Sequence, residues 1–293
     1  MWALALVWGG SYLFIKVGLQ AVEPVFLVWI RLALAALVLV PLAARAGAFA
    51  GLSTVKGPLL ALSLVQVVVP FLLITFGEVH IASSLTGILV ASAPIFTALL
   101  GMAGFGADRV TGWNLGGVLV GLTGVALLFG VDLTGDRQAL FGGLMVLLAS
   151  FGYAVGAIYL RKRLGEFAPM GLAATSMATS AAMLTVPALF FLPAAMPDLD
   201  SAASILALGV FGTGVAFGLF YRLIAEVGAA KSSVVAYLSP AFALLYGATL
   251  LSEPVTLGAA LGLGLILAGS WTAAEGRPPW QSRRRVAAAA AAG

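Results

Sequence analysis

The side chains that could do chemistry are few, and their types exclude most reactions. The 293-residue chain has no cysteine and one histidine, His80. This rules out disulfides, thiol nucleophiles, thiolate metal sites and multi-histidine clusters. No pair of carboxylates falls inside the long apolar stretches, so no catalytic residue, metal ligand or cofactor is expected. What remains is recognition chemistry. Lys16 and Arg31 are the basic residues well inside apolar stretches. A charge centred in hydrocarbon costs about 2.5–3.5 kcal/mol on insertion scales, so such residues turn toward protein or water. Together they would make a positive zone for an anionic group, with Arg31 offering bidentate geometry to a carboxylate. The competing reading has Lys16 snorkelling to an interface, with Glu23 and Glu78 neutralising one or both cations. Trp8, Tyr12, Tyr153 and Tyr237 lie away from the charged boundaries, and their polar atoms need partners. They can line a cavity and stack on a solute, or they can simply pack. Ser11, Gln66 and Thr213 are isolated polar residues, with Gln66 expected on a cavity wall; Asn114 falls near a helix end. Pro94 and Pro240 sit mid-stretch. Each removes an N–H and frees the carbonyl four residues back, those of Val90 and Ala236. Such a carbonyl is tolerated only where protein or water answers it, and Ser92 and Ser239 are close enough in sequence to do so. The candidate solute cavity is therefore Trp8, Ser11, Tyr12, Lys16, Arg31, Gln66, Pro94, Tyr153, Thr213, Tyr237 and Pro240.

The elements that must position these residues are set by composition. Hydrophobic residues make up 62% of the chain and charged residues 9%, against about 25% charged in a soluble domain. Charges act as punctuation. Eight windows free of Asp, Glu, Lys and Arg lie between Lys56 and Glu275, each long enough for one spanning helix of about 20 residues and too short for two. The first 45 residues supply two more. Helices are expected near 2–19, 24–43, 57–77, 81–103, 111–130, 139–160, 169–192, 204–224, 230–251 and 254–273. Residues 2–19 read as a retained first helix, because a signal peptide needs a positive n-region and a small-residue cleavage site. A β-barrel would need ten-residue segments of alternating polarity, and the windows are continuous apolar runs of twice that length.

Basic residues orient the chain. With loops alternating sides, Arg45, Lys56, Arg109, Arg161 to Arg163, Arg222, Lys231, Arg277 and Arg283 to Arg285 share one side with both termini. The opposite loops carry Arg137 among Glu23, Glu78, Asp132, Asp136, Asp198, Asp200 and Glu253. Both termini are therefore expected in the cytoplasm. The Arg283-Arg284-Arg285 tail suits anionic lipid rather than nucleic acid. The chain also repeats itself. DRVTGWNLGGVLVGLTG at 108–124 resembles EPVTLGAALGLGLILAG at 253–269, Pro94 matches Pro240, and Pro24 and Pro41 match Pro169 and Pro187, all at a spacing near 146 residues. Each half then holds five helices. An odd number makes the second copy enter the membrane from the opposite side, an inverted-topology repeat.

The first helix carries Trp8-Gly9-Gly10-Ser11-Tyr12-Leu13-Phe14-Ile15-Lys16. Helices 4 and 9 carry small-residue runs leading to a proline, and an acidic residue, Asp108 or Glu253, follows before helices 5 and 10. With the five-plus-five layout, this combination resembles the EamA family of the drug/metabolite transporter superfamily over roughly residues 2–274. The resemblance implies a ten-helix inner-membrane carrier, often an exporter of amino acids, other metabolites or toxic compounds. It also implies a central cavity among helices 1–4 and 6–9, with helices 5 and 10 peripheral. Asp108 lies one residue further from Pro94 than Glu253 does from Pro240.

The expectation is an all-α integral membrane protein of ten transmembrane helices in two inverted five-helix repeats, at 1–135 and 136–274. A basic, Ala-rich cytoplasmic tail at 275–293 is expected to be disordered. It should be a secondary transporter of the cell inner membrane moving a small metabolite, an amino acid or related compound, outward by alternating access. The alternatives are a membrane-embedded enzyme and a non-transporting scaffold or receptor. Expected partners are the small-molecule solute and the lipid bilayer, without nucleic acid; Asp108 and Glu253 read as helix N-terminal charges.

Overall fold

In hydrocarbon a backbone can satisfy its polar groups only internally, so the charge-free windows become helices. The structure, a computed structural model, describes residues 1–105, 112–133, 135–227 and 234–275, and among the described residues there are helices and no strand. Asp108, Arg109, Lys231 and the basic tail from residue 276 lie outside the described residues.

Eight helices are long and apolar enough to cross a membrane. They are α2 (Pro24–Arg45), α3 (Leu52–His80), α4 (Ser83–Met102), α5 (Gly112–Val131), α6 (Arg137–Arg163), α7 (Pro169–Leu189), α8 (Leu199–Phe220, continuing to Val227) and α10 (Leu257–Glu275). Two further apolar helices, α1 (Trp2–Gly18) and α9 (Val234–Leu250), have 17 residues each. Large apolar side chains such as Leu37, Leu119, Phe141, Leu148, Phe190 and Phe211 are exposed, as lipid-facing side chains are.

Helix ends follow local chemistry. Pro24 and Pro169 open α2 and α7, where a missing N–H costs nothing. Asp136 caps α6 by accepting from the Gln138 and Ala139 amides at 2.8 and 3.3 Å. Asp198 caps α8, accepting from Asp200 N and Ser201 N at 3.0 Å each. These bonds from Ser201 and Asp200 hold its carboxyl below the usual range. The cap starts α8 at Leu199, earlier than the expected 204. Likewise α3 runs on to His80 instead of ending near 77, which carries Glu78 into the helix.

Two helices are locally underwound. A π stretch at Ser63–Val68 interrupts α3 just ahead of Pro70, and one at Ala207–Val215 interrupts α8. Helix α4 breaks at Ala91–Ser92, before Pro94. The carbonyls at the break are answered by hydroxyls. Ser92 Oγ and Ser150 Oγ donate to Leu89 O at 2.6 and 3.1 Å, and Ser270 Oγ donates to Ala91 O at 2.8 Å. Pro240, by contrast, lies inside the uninterrupted α9, where Ser239 Oγ reaches Ala236 O at 3.5 Å.

Packing is pairwise. Helix α5 lies along α10, α2 along α7, α3 along α6 and α1 along α9. The α5–α10 crossing depends on glycine. A Cβ on Gly117 would overlap the Ala273 backbone, and one on Gly269 would overlap the backbone of Gly121.

Candidate functional site

A cavity of about 700 Å³ lies between the helices. Its wall takes the C-terminal parts of α6, α8 and α10, the N-terminal parts of α5, α7 and α9, middle stretches of α1, α2 and α3, and most of α4. It therefore runs toward the end of the molecule that carries Arg161, Lys162 and Asn114, and its lining stops in the other direction at Ile15 and Ile74. Trp8, Ser11, Tyr12, Arg31, Gln66, Pro94, Tyr153, Tyr237 and Pro240 all line it. Lys16 and Thr213, grouped with them on sequence grounds, are not on the wall.

Arg31 is the cation of the deep end. It is 8% exposed and forms no salt bridge with a carboxylate among the described residues. Its Nε donates to Thr213 Oγ1 at 2.8 Å, and its guanidinium carbon lies 4.2 Å from the centre of the Phe71 ring. The face of an aromatic ring favours a cation, and more so away from water. Thr213 donates in turn to Leu208 O at 2.9 Å, five residues back. That carbonyl is within reach because the π stretch of α8 shifts the helix from its usual spacing. Thr213 thus holds the guanidinium through Nε, and Arg31 lines the cavity. The Tyr12 and Tyr153 hydroxyls lie within electrostatic reach of Arg31.

The other lining groups are less committed. Gln66 sits in the π stretch of α3 against Gly156, and its Oε1 is buried without a hydrogen-bond partner. Ser176 Oγ, also on the wall, is in the same condition. Trp8 packs on Phe217 and Phe220 with ring centroids 5.8 and 4.9 Å away. Tyr237 leans on Trp271 at 5.5 Å, with its hydroxyl 3.5 Å from Ser270 O. Ser11 Oγ donates to Val7 O within its own helix. Asn114 donates to Ala273 O at 2.7 Å near the mouth.

The end away from the mouth is closed by polar contacts. Lys16 Nζ donates to the carbonyls of Glu78 and Ile81 at 2.5 and 2.9 Å, so it caps the C-terminal end of α3. Glu253, read from sequence as a charge at the start of α10, instead accepts from Ser83 N at 2.8 Å and Ser84 N at 3.0 Å. It therefore serves the N-terminus of α4, while Thr256 caps α10 through Ala259 N and donates to Asp132 Oδ1. Burial pushes the Glu253 carboxyl up, but the Ser84 and Ser83 hydrogen bonds outweigh it and hold the group below the ordinary carboxylate range. Glu78 is fully buried one turn beyond Ile74, and neither of its carboxyl oxygens has a partner among the described residues.

Sequence reading missed Phe71, Ser176 and the buried state of Glu78. A phenylalanine or serine in an apolar run carries no mark of function. Glu78 did carry one: Val67, Phe71, Ile74 and Glu78 recur at helical spacing and share one face of α3, three of them on the cavity wall.

The profile of the EamA-like transporter family matches this chain at residues 1–130 and at residues 140–274. The "Uncharacterized transporter YoaV" of Bacillus subtilis is 25% identical over 272 residues, covering 91% of this chain and 92% of that protein. The "Probable amino-acid metabolite efflux pump" of Escherichia coli is 28% identical over 276 residues, covering 91% and 90%. The "Uncharacterized inner membrane transporter YedA" of the same species is 25% identical over 280 residues, covering 91% and 87%. A solved crystal structure aligns with a TM-score of 0.68 at 17% identity, over 97% of this chain and 96% of its own, and so shares the fold.

Proposed function

The chain belongs to the EamA-like transporter family, and we propose that it is a secondary transporter that carries a small carboxylate-bearing metabolite, an amino acid or related compound, outward across the cytoplasmic membrane by alternating access. The observation that carries this reading is Arg31. It is a guanidinium on the wall of a cavity of about 700 Å³, backed by Thr213 and Phe71 and bound to no carboxylate among the described residues. A cation this buried is costly unless something compensates it, and a solute carboxylate would do so with two parallel hydrogen bonds. The cavity volume suits a small metabolite. A relative's name, amino-acid metabolite efflux pump, points to the same class of solute and to export.

We read the architecture as ten spans in two inverted five-helix repeats, 1–135 and 136–274, followed by a basic cytoplasmic tail. Several features support this. The family profile matches once in each half. The π stretches of α3 and α8 fall at equivalent places in the two halves. The packing pairs interchange under the exchange of halves, α3 on α6 answering α8 on α1, and α1 on α9 answering α6 on α4. The 17-residue α1 and α9 complete the ten as spans at the short end of the usual range. The closed end and the cavity mouth are then the two gates, and rocking one repeat against the other exchanges them.

The test is flux in liposomes containing the purified protein, comparing amino acids with their amides. Arg31→Gln is expected to lower the acid-to-amide flux ratio at least tenfold while leaving yield and melting temperature near wild type. Loss of folding with an unchanged ratio in the surviving fraction would show Arg31 to be structural.

A further inference from the structure

Glu78 has no part in the solute site described above, and its surroundings are unusual for a carboxyl group. It is fully buried, and both oxygens are without a hydrogen-bond donor among the described residues. Left ionised, it would be an uncompensated charge away from water, a state that costs several kcal/mol. The cation that reaches this turn of α3 is otherwise engaged, since Lys16 gives its hydrogen bonds to the carbonyls of Glu78 and Ile81. Those carbonyls end α3, where the helix dipole already favours a cation, so Lys16 is stabilised without the carboxylate. Arg31 of α2 and the Tyr12 hydroxyl of α1 are within electrostatic reach, with Arg31 held by Thr213 and Phe71. Glu253, from the loop between α9 and α10, faces the same region and adds a like charge fixed by two backbone amides. Helix α6 meets this turn of α3 through Gly142 and Val146 against Gly77, with His80 beside Gly142. Lys16 and Arg31 are attractive at a distance, but neither donates to the carboxyl, and the burial, the absence of a donor among the described residues and the like charge of Glu253 all oppose its ionised form.

We propose that Glu78 is a proton-binding site: it holds a proton while the end closed by Lys16 and Glu253 is shut, and releases it to the solvent on that side when that end opens. The proposal rests on the alternating-access reading. Glu78 lies one turn past Ile74, where the cavity lining stops, and on the same face of α3. Opening this end must part Lys16 from the end of α3, or Glu253 from the start of α4, and either movement brings water to Glu78. Hydration stabilises the carboxylate, so the O–H bond breaks, the proton passes to water and the electron pair stays on oxygen. The closed form therefore binds one proton more than the open form. By linkage, raising the pH populates the open form, by up to tenfold per unit while Glu78 titrates.

The experiment uses the full chain in lipid nanodiscs. Native cysteines are absent, so spin labels at Gln20→Cys and Val79→Cys, both exposed at the closed end, report its width by electron-electron distance. The expected result is a long-distance population that grows as pH rises from about 5 to 9 in the otherwise native protein and stays minor at every pH in Glu78→Gln. Glu78→Asp, which still titrates, should keep a pH response with a displaced midpoint, and serves if Glu78→Gln does not fold. Infrared spectra should show a protonated-carboxyl stretch in the closed form that is shifted by Glu78→Asp. An equal pH response in native protein and Glu78→Gln, or no protonated-carboxyl band from Glu78 in the closed form, overturns the proposal while alternating access stands. A closed end that never widens at any pH, in any variant, overturns alternating access and the proposal with it.

Discussion

Lys16 and Arg31 are both cations within apolar helices, and the protein settles their charges in different ways. Lys16 gives its hydrogens to two carbonyls at the end of α3 and leaves the cavity wall. Arg31 gives one hydrogen to Thr213, sets its guanidinium carbon over the Phe71 ring and lines the cavity. Sequence reading found both residues because a charge in hydrocarbon always needs an explanation. It did not divide them, since depth along a helix says nothing about which carbonyls a neighbouring helix presents. Neither cation takes Glu78 or Glu23 as a salt-bridge partner among the described residues, the pairing that sequence had offered as the structural alternative. Thr213 offers a direct test of how Arg31 is held. Thr213→Val keeps the shape, removes the acceptor from Nε and removes the donor from Leu208 O. The expected cost is about 1–3 kcal/mol of stability, the price of leaving a buried donor unmet. Thr213→Ser should recover most of it. Thermal unfolding in one detergent at one pH, run on both variants, checks this; a valine variant as stable as wild type would leave Thr213 no supporting role.

At the scale of elements, the apolar windows located the helices well because charges in this chain fall almost wholly between them. The errors have specific causes. Asp198 looked like loop but is the N-cap of α8, and Glu78 looked like loop but is the last buried turn of α3. The two mid-helix prolines looked equivalent in sequence. Three hydroxyls, from Ser92, Ser150 and Ser270, gather at the break before Pro94, whereas Pro240 sits in an unbroken helix. Two of those hydroxyls come from α6 and α10, so no local reading of α4 could have foreseen the difference. Glu253 belongs to the same lesson, because it caps a helix far from it in sequence. Its carboxyl is held below the ordinary range, so its contribution is complete above the unfolded value, about 4.3, and is lost as pH falls through the folded one. Glu253→Gln should lower stability by about 1–2 kcal/mol at neutral pH. The gap between native and variant unfolding curves is expected to stay level from pH 5 to 8 and to shrink only in stronger acid. A gap that instead widens on acidification would contradict the assigned contact.

For the whole molecule, prolines and glycine runs recur in the sequence at one spacing, and the packing pairs are consistent with the two-repeat architecture proposed above. The cavity itself was not readable, since it is lined by parts of all ten described helices and no periodicity encodes which ends lie apart and which lie together. Arg161 and Lys162 show the gap. Sequence used them only to orient the chain, and in the structure they stand at the cavity mouth. The two uses join in one prediction. If basic loops lie in the cytoplasm, then the mouth at Arg161 and Lys162 opens to the cytoplasm, and so do both termini. The loop from Asp132 to Arg137 and the Glu253 end then face the opposite side. A reporter fused after the last residue should be active in the cytoplasm, and one inserted at Gly135 should be active outside. A single cysteine at Ala157, on the cavity wall, should react with a membrane-impermeant maleimide in inside-out vesicles at least tenfold faster than in right-side-out cells. Finding the tail and the Gly135 reporter on the same side would break the ten-span reading. Faster labelling of Ala157→Cys from outside would keep the ten spans but reverse the assignment of the gates.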